Sequence, residues 1–237
     1  SATAPPMVIE TIRTYCFGNN SGLELIPCGA DGRTDAAALA ALLSDEISCV
    51  YVQQLNCSGL IEDAATLAEL THAAGAKFIL GINPIAAAIL PSAGETGADI
   101  AVGEGQPLGL PLAFGGPYLG LMACREAMMR KLPGRIVGET TDLEGRRAFV
   151  LTLQAREQHI RREKASSNIC SNQNLCALAA SVYLAAMGNE GLMTAAQSCY
   201  AHAQHLAERL ADLGFSRRYS AEFFHEFVTE TPSAVAA

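Results

Sequence analysis

The chain has 237 residues, with 24 acidic against 16 basic side chains, a formal net charge of −8 and a sequence pI near 5.1. That balance argues against nucleic acid or an anionic membrane surface as the main partner. Half of the residues are hydrophobic, 17% are charged and none is Trp. Such a chain holds material for one large core, or for one core with a smaller appended domain, and no disordered tract is expected.

The opening SATAPPMVIETIR lacks the basic n-region and apolar run of a secretory signal. No apolar segment reaches the roughly 20 residues of a membrane span, so a cytoplasmic location is expected. RTDAAALAALLSDE follows, with Thr34 and Asp35 as cap candidates ahead of Ala and Leu, which predicts a helix. CVYVQQL (49–55) is β-branched and aromatic enough for a buried strand. EDAATLAELTHAAGA reads as a helix capped by Asp63 and stopped at Gly75, and KFILGI (77–82) and ADIAVG (98–103) read as strands. Strands and helices alternating at this spacing predict an α/β fold with a mostly parallel sheet, covered by helices on both faces.

YLGLMACR and AFVLTLQ are two further strand candidates, separated by the turn-rich, charged LPGRIVGETTDLEGRR. After them, Leu175, Leu178, Ala179, Val182 and Ala186 recur at helical spacing, with Ser171 as a cap candidate and Gly188 as a stop. This helix is expected to be buried. A second long helix is expected from Glu190 to Leu213, with Leu192, Cys199, Ala203, Leu206 and Leu210 as its buried stripe, ending at Gly214. EFFHEFVTE (222–230) reads as the first strand of a new sheet. The domain expectation is therefore a large domain over 1–189 and the start of a small α+β domain over 190–237.

Eight cysteines at irregular positions, none in a Cys-x-x-Cys pair, read as reduced thiols rather than a disulfide framework. Cys170 with Cys176 and His202 with His205 have metal-ligand chemistry, but the plainer reading prevails and no metal site is expected. Ligands in open α/β sheets sit beyond the carboxyl ends of the strands, so the segments after 82 and 103 come first as site candidates. Within the second, Gly115-Gly116-Pro117 either lets the backbone approach a ligand or neighbouring segment closely or is a plain turn.

The run QAREQHIRREKASSNICSNQ (154–173) is of mixed sign, Arg156, Arg161, Arg162 and Lys164 being offset by Glu157 and Glu163. Arg forks hold carboxylates or phosphates, and Asn168, Asn172 and Gln173 can fix backbone groups in an irregular loop. Two readings stand: a surface helix laced with salt bridges, or a buried or interfacial polar hub.

These residues carry a resemblance. LPGRIVGETTDLEGRRAFVLTLQAREQHIRREKASSNICSNQNLCALAASVYLAAMG, together with GADIAVGEGQPLGLPLAFGGPYLG, resembles the glycine-cleavage P-protein family, glycine dehydrogenase (decarboxylating), on its subunit-1 or alpha-chain side. The likeness runs from Met7 to Val228. It implies a fold-type-I, aminotransferase-like architecture working with pyridoxal phosphate in a two-subunit assembly, an αβ unit that pairs again into a heterotetramer. That assembly takes CO2 from glycine and passes the aminomethyl group to the lipoyl arm of H-protein, the cofactor acting as electron sink. It implies glycine as substrate, subunit 2 and lipoylated H-protein as partners, and no catalytic residue on this chain.

The resemblance also implies that the cofactor site has decayed here and that pyridoxal phosphate sits on subunit 2. Only three lysines occur, Lys77, Lys131 and Lys164, and none follows ADIAVG, where fold-type-I enzymes keep the Schiff-base lysine; Gln106 or Pro107 stands there. Asn83 stands where an aspartate would hold the pyridinium nitrogen, and it lacks the negative charge. Gly115, Gly116, Pro117, Arg156, Glu157, His159, Arg161, Arg162, Lys164, Asn168 and Asn172 are the candidates for an interface or active-site wall. The chain is expected to be a partial length, short of strands on one side of the large sheet and of most of the small domain. The competing readings are another fold-type-I pyridoxal phosphate enzyme, which needs the missing lysine, and a scaffold or binding protein with a borrowed fold.

Overall fold

Three of the expected strands lie side by side and run parallel in the computed structural model, which describes residues 1–134, 136–153, 158–165 and 172–231. β1 (Cys49–Gln53) pairs with β2 (Lys77–Ile82), and β2 with β3 (Ile100–Glu104). β4 (Gly120–Cys124) completes the order β1-β2-β3-β4. The register sets Val50 beside Phe78 and Val52 beside Leu80. Because side chains alternate along a strand, these four share one face, where they pack with Leu39, Leu67, Ala68 and Ala98 into the main core.

Leu39 comes from α2 (Ala36–Leu42), and Leu67 and Ala68 from α3 (Ala64–Ala73). Both helices start at the expected aspartates. Asp35 accepts hydrogen bonds from the backbone N–H groups of Ala37 and Ala38, and Asp63 from that of Thr66, which satisfies donors a helix start leaves unpaired. Thr34, the other cap candidate, is instead buried against Glu62. One Glu62 oxygen accepts from Thr3 Oγ1 and Asn56 Nδ2, both at 2.8 Å, and the other from Thr34 N at 2.8 Å. An additional helix, α1 (Pro6–Gly18), was not legible in the sequence; Pro6 sits in its first turn, where a missing N–H costs nothing.

The chain divides into two compact units, one comprising Ser1–Ala123 and Leu175–Ala237, the other Cys124–Asn174. The second unit holds an antiparallel hairpin of β5 (Ile136–Thr141) and β6 (Arg147–Thr152), followed by one helical turn, α4 (Gln158–Arg161). β6 falls within the expected strand, but β5 lies in the stretch expected to be turn. Its signal was the turn itself: Asp142 accepts from the backbone N–H groups of Glu144 and Arg146, closing the hairpin over DLEGR.

The two expected C-terminal helices form one element, α5 (Asn174–Asp212), interrupted at Gly188, whose φ of 60° and ψ of −173° are not helical. The domain boundary expected at 189/190 falls just after this break and inside the first unit. By length and composition α5 would pass for a membrane span, which the sequence reading did not expect. Its buried positions are Ala180, Ala196, Ala203 and Ala207, of which Ala203 belongs to the expected stripe. Leu175, Leu178, Val182 and Leu206 are exposed, which corrects the expectation of a buried face there. Alanines on the inner side let the helix backbone approach Leu60 and Phe223 closely. The segment 222–230 is not a regular strand, and only isolated bridges form, Leu60 with Phe223 and Arg217 with Thr229.

That segment is nevertheless firmly seated. Phe223 and Phe224 are each 1% exposed, Ile61 N donates to Glu222 O at 2.9 Å, and Phe224 N donates to Gly59 O at 3.2 Å. Gly59 has φ +77°, and a Cβ there would run into the Glu226 carbonyl. Replacing Gly59 by Ala adds left-handed strain and a backbone clash. The expected outcome is a loss of about 1–3 kcal/mol in denaturant unfolding, and Gly59→Ala with wild-type stability would show that 222–226 is not held as described.

A second fastening joins α3 to the strands. The Asp99 side chain is 6% exposed, and it accepts from Phe78 N at 3.0 Å, His72 Nε2 at 2.8 Å and Lys77 Nζ at 3.2 Å. Burial pushes its pKa up, but the hydrogen bonds from Phe78 N–H, His72 and Lys77 outweigh it and hold the carboxyl below its ordinary 3.8. Since the folded state lowers this pKa, the stabilisation is complete above the ordinary carboxylate range and fades as the pH falls through the lowered value. Asp99→Ala should cost about 1–3 kcal/mol near neutral pH, because Phe78 N–H loses its partner. The gap from wild type should narrow below pH 3.8; a constant gap across a pH series of urea melts would contradict this account.

Candidate functional site

The residues that alternate with the core-facing ones build the other face of the sheet. Tyr51 and Gln53 of β1, Ile79 of β2 and Val102 of β3 floor a groove of about 630 Å³ that opens at the carboxyl ends of the three strands. Val8 and Ile12 of α1 form one wall, and His225 and Glu226, carried by the segment anchored at Gly59, form another. The Tyr51 hydroxyl donates to Gln53 Oε1 along the strand. This pair lies over Gly81, the neighbour of Gln53 in β2, where a Cβ would collide with both side chains. Burial pushes the Tyr51 phenol up to about 12, so it remains a donor at neutral pH.

Asn83 and Pro107, named from the sequence at the strand ends, both line this groove. Neither offers what pyridoxal phosphate requires. The Asn83 Oδ1 accepts from Ile85 N at 2.9 Å and Ala86 N at 3.1 Å, which commits the side-chain oxygen to the backbone ahead of the short turn at Ala86–Ala88. Gln106 is tied down as well, its N–H to Glu104 Oε1 at 3.0 Å and its side-chain amide to Pro111 O at 3.2 Å. No lysine or arginine is among the lining residues. A group that needs an amine to bond, a carboxylate for its ring nitrogen and cations for its phosphate does not fit. Lys77 stands at the opposite end of β2, held by Asp99.

Gly115, Gly116 and Pro117 form a surface turn in which Gly115 N and Gly116 N donate to Leu112 O at 2.9 and 3.1 Å. Phe114 and Tyr118 beside them are exposed. In the second unit, His159 and Arg161 lie on α4, Arg162 and Lys164 on the 3-10 turn that follows, and all four are exposed, as is Asn172 beyond them in the chain. Arg156, Glu157 and Asn168 lie outside the described residues. His202 and His205 are both exposed on α5, and among the described residues no three of His, Cys, Asp and Glu gather into a metal-binding group.

Sequence reasoning missed the groove's polar groups: Tyr51, Gln53, Gln54, Glu104, His225 and Glu226. One signal was available. CVYVQQL alternates apolar and polar residues, and a strand buried on both faces has no reason to carry Tyr and Gln at every second place.

The pattern of the family described as Glycine cleavage system P-protein matches residues 1–237. The probable glycine dehydrogenase (decarboxylating) subunit 1 of Moorella thermoacetica is 50% identical over 240 residues, covering 100% of this chain and 54% of that protein. The solved structure of glycine decarboxylase (P-protein) of the glycine cleavage system, in inhibitor-bound form, superposes with a TM-score of 0.91 at 42% identity, over 98% of this chain and 52% of that one. The chain thus spans about half the length of both. Sphingosine-1-phosphate lyase from Burkholderia pseudomallei shares the fold alone, with a TM-score of 0.66 at 13% identity over 94% of this chain and 48% of its own. The architecture is the fold-type-I, pyridoxal-phosphate-transferase-like α/β arrangement with a mostly parallel sheet. The chain belongs to the glycine cleavage system P-protein family.

Proposed function

We propose that this chain serves in subunit 1 of a P-protein assembly that decarboxylates glycine and hands the aminomethyl group to the lipoyl arm of H-protein, and that it catalyses no step itself. The observation that carries the reading is the strand-end groove, where Pro107 and an Asn83 whose side-chain oxygen is committed to the backbone stand in place of reactive groups and no lysine or arginine lines the walls. In this reading pyridoxal phosphate resides on subunit 2, and the chain contributes surface to the assembled site.

The exposed cations of the second unit suit that role. Arg161 and Arg162 follow one another at the junction of two short helical turns, with His159 and Lys164 nearby in sequence. Guanidinium groups take carboxylates in bidentate fashion. We place this polar wall against subunit 2, beside the approach of the glycine carboxylate or the lipoyl arm.

Two tests follow from the reading. Mixed with subunit 2, pyridoxal phosphate and lipoylated H-protein, a complete subunit 1 should support exchange of CO2 with glycine, and the 237-residue chain should not replace it. Exchange with neither would move the scaffold reading to first place. Arg161→Ala and Arg162→Ala in the complete complex should each reduce assembly or turnover by roughly tenfold, the size of one lost charge-assisted hydrogen bond. Normal assembly and kinetics in both variants would remove the polar wall.

A further inference from the structure

β1 stands at the end of the sheet and pairs with β2 along one edge. Ser48 O accepts from Lys77 N at 3.0 Å and Gln54 N donates to Gly81 O at 2.7 Å. Backbone groups of successive residues point to opposite sides of a strand, so the even-numbered residues of β1 face β2, and Cys49 and Tyr51 turn their N–H and C=O groups to the other edge. There Tyr51 O accepts from Ser1 N at 2.7 Å. Cys49 N, Cys49 O and Tyr51 N have no hydrogen-bond partner among the described residues. An edge of this kind is a template for a further strand.

Ser1 and Ala2 are bonded as consecutive residues of a central strand are. Ser1 N donates to β1, and Ala2 N donates the other way, to Ile26 O at 2.9 Å. Cys57 N donates to Thr3 O at 2.8 Å, so the chain from Ser1 to Thr3 runs in the direction of Tyr51 to Cys57, parallel to β1. Beside Ser1 lies a cleft of about 490 Å³, lined by residues 21–26 and by 46–51, the free edge of β1 included. Leu39, Leu43 and Ile47, which pack on the Val50 side of the sheet, and Ile9 and Ile12 of α1 give it apolar walls. Ile12 also borders the groove on the Tyr51 side, so both sheet faces supply hydrocarbon. The carboxylates in the lining, Glu24 and Glu46, are exposed. An open backbone edge with apolar cover on both faces is the setting of a buried parallel strand. A charged amine suits it poorly: burial pushes the Ser1 ammonium down to about 6, against the pull of the Glu62 carboxylate. An amide N–H in its place would make the bond to Tyr51 O with no charge to desolvate.

We propose that this cleft is a strand position, filled by an apolar segment joined to Ser1 through an amide and running parallel to β1, supplied by the part of the complete polypeptide that these 237 residues do not include. Relatives twice as long as this chain have the residues to supply it. Parallel pairing fixes the register from the bond already present: the second residue ahead of Ser1 donates to Cys49 O and accepts from Tyr51 N, and the residue immediately ahead of Ser1 turns to the side of Ile26. One added strand satisfies the open edge and covers the walls, with main-chain bonds giving affinity and the apolar walls selecting the side chains.

Amide hydrogen exchange read residue by residue tests this. In the 237-residue chain, Val50 and Val52, which face β2, should exchange slowly, and Cys49 and Tyr51 quickly. In a complete subunit 1, the amides at the positions of Cys49 and Tyr51 should slow at least tenfold, the scale of one hydrogen bond kept from water. A Val-Ile-Val-Ile-Val extension joined to Ser1 should reproduce the slowing, and a Gly-Ser-Gly-Ser-Gly extension should not. Fast exchange at both positions in the complete subunit overturns the proposal, as does equal slowing by the two extensions. Slow exchange in the 237-residue chain alone also overturns it; slowing that grows with concentration would assign the cleft to a second copy. No turnover is measured, so failure here leaves the P-protein reading standing, and failure of the CO2 exchange assay leaves this one standing.

Discussion

The parallel register of β1, β2 and β3 is the constraint from which the rest follows. With Val50 beside Phe78 and Gln53 beside Gly81, one sheet face is committed to hydrocarbon and the other to the groove, and a slip of one residue would exchange them. Core and groove are therefore specified together. Val52, Phe78 and Leu80 are each at most 1% exposed, and full burial of side chains of this size contributes about 1.5–3 kcal/mol apiece. That energy fixes the positions of Tyr51 and Gln53 although neither contributes to the core. Asp99 reinforces the register at the other end, where its carboxylate gathers β2 and α3 through Phe78, Lys77 and His72.

The sequence was legible where local chemistry decides structure and illegible where tertiary contact does. Asp35 and Asp63 cap their helices as read, because a side-chain oxygen two or three residues ahead of free N–H groups needs no further information. The strands at 49–53, 77–82 and 100–104 were equally plain. Leu175, Leu178 and Val182 were misread because helical spacing reports only that residues share a face; it does not say whether anything packs there. Alanines face inward because close approach favours small side chains, and a hydrophobicity pattern underweights Ala. The segment 222–230 read as a strand, but burial of Phe223 and Phe224 is achieved by two isolated bridges and the contact with Gly59.

The site divided along the same line. The resemblance sets Gln106 or Pro107 in the place of a lysine and Asn83 in that of an aspartate, and an amide or an imino ring has neither the nucleophile nor the charge. The groove's lining brings together Gln54 and His225, more than 170 positions apart in sequence, and no spacing rule joins them. Gly59 does, by admitting the Glu226 backbone where any side chain would exclude it.

Loss of the lysine by itself would leave a pocket still able to hold a phosphorylated ring noncovalently, as many phosphate sites do with arginines and helix ends. The electrostatics argue against even that. Two unit charges of like sign about 6 Å apart repel by about 3 kcal/mol at an effective dielectric of 20, and the groove presents the carboxylates of Glu104 and Glu226 with no lysine or arginine in its lining. A phosphate dianion would meet that repulsion on each charge, while Asn83 Oδ1 and the Gln106 side-chain amide are engaged with the backbone. Sign of charge, more than shape, therefore separates this groove from the cofactor sites built on the same fold, and the fold contributes the location without dictating the chemistry.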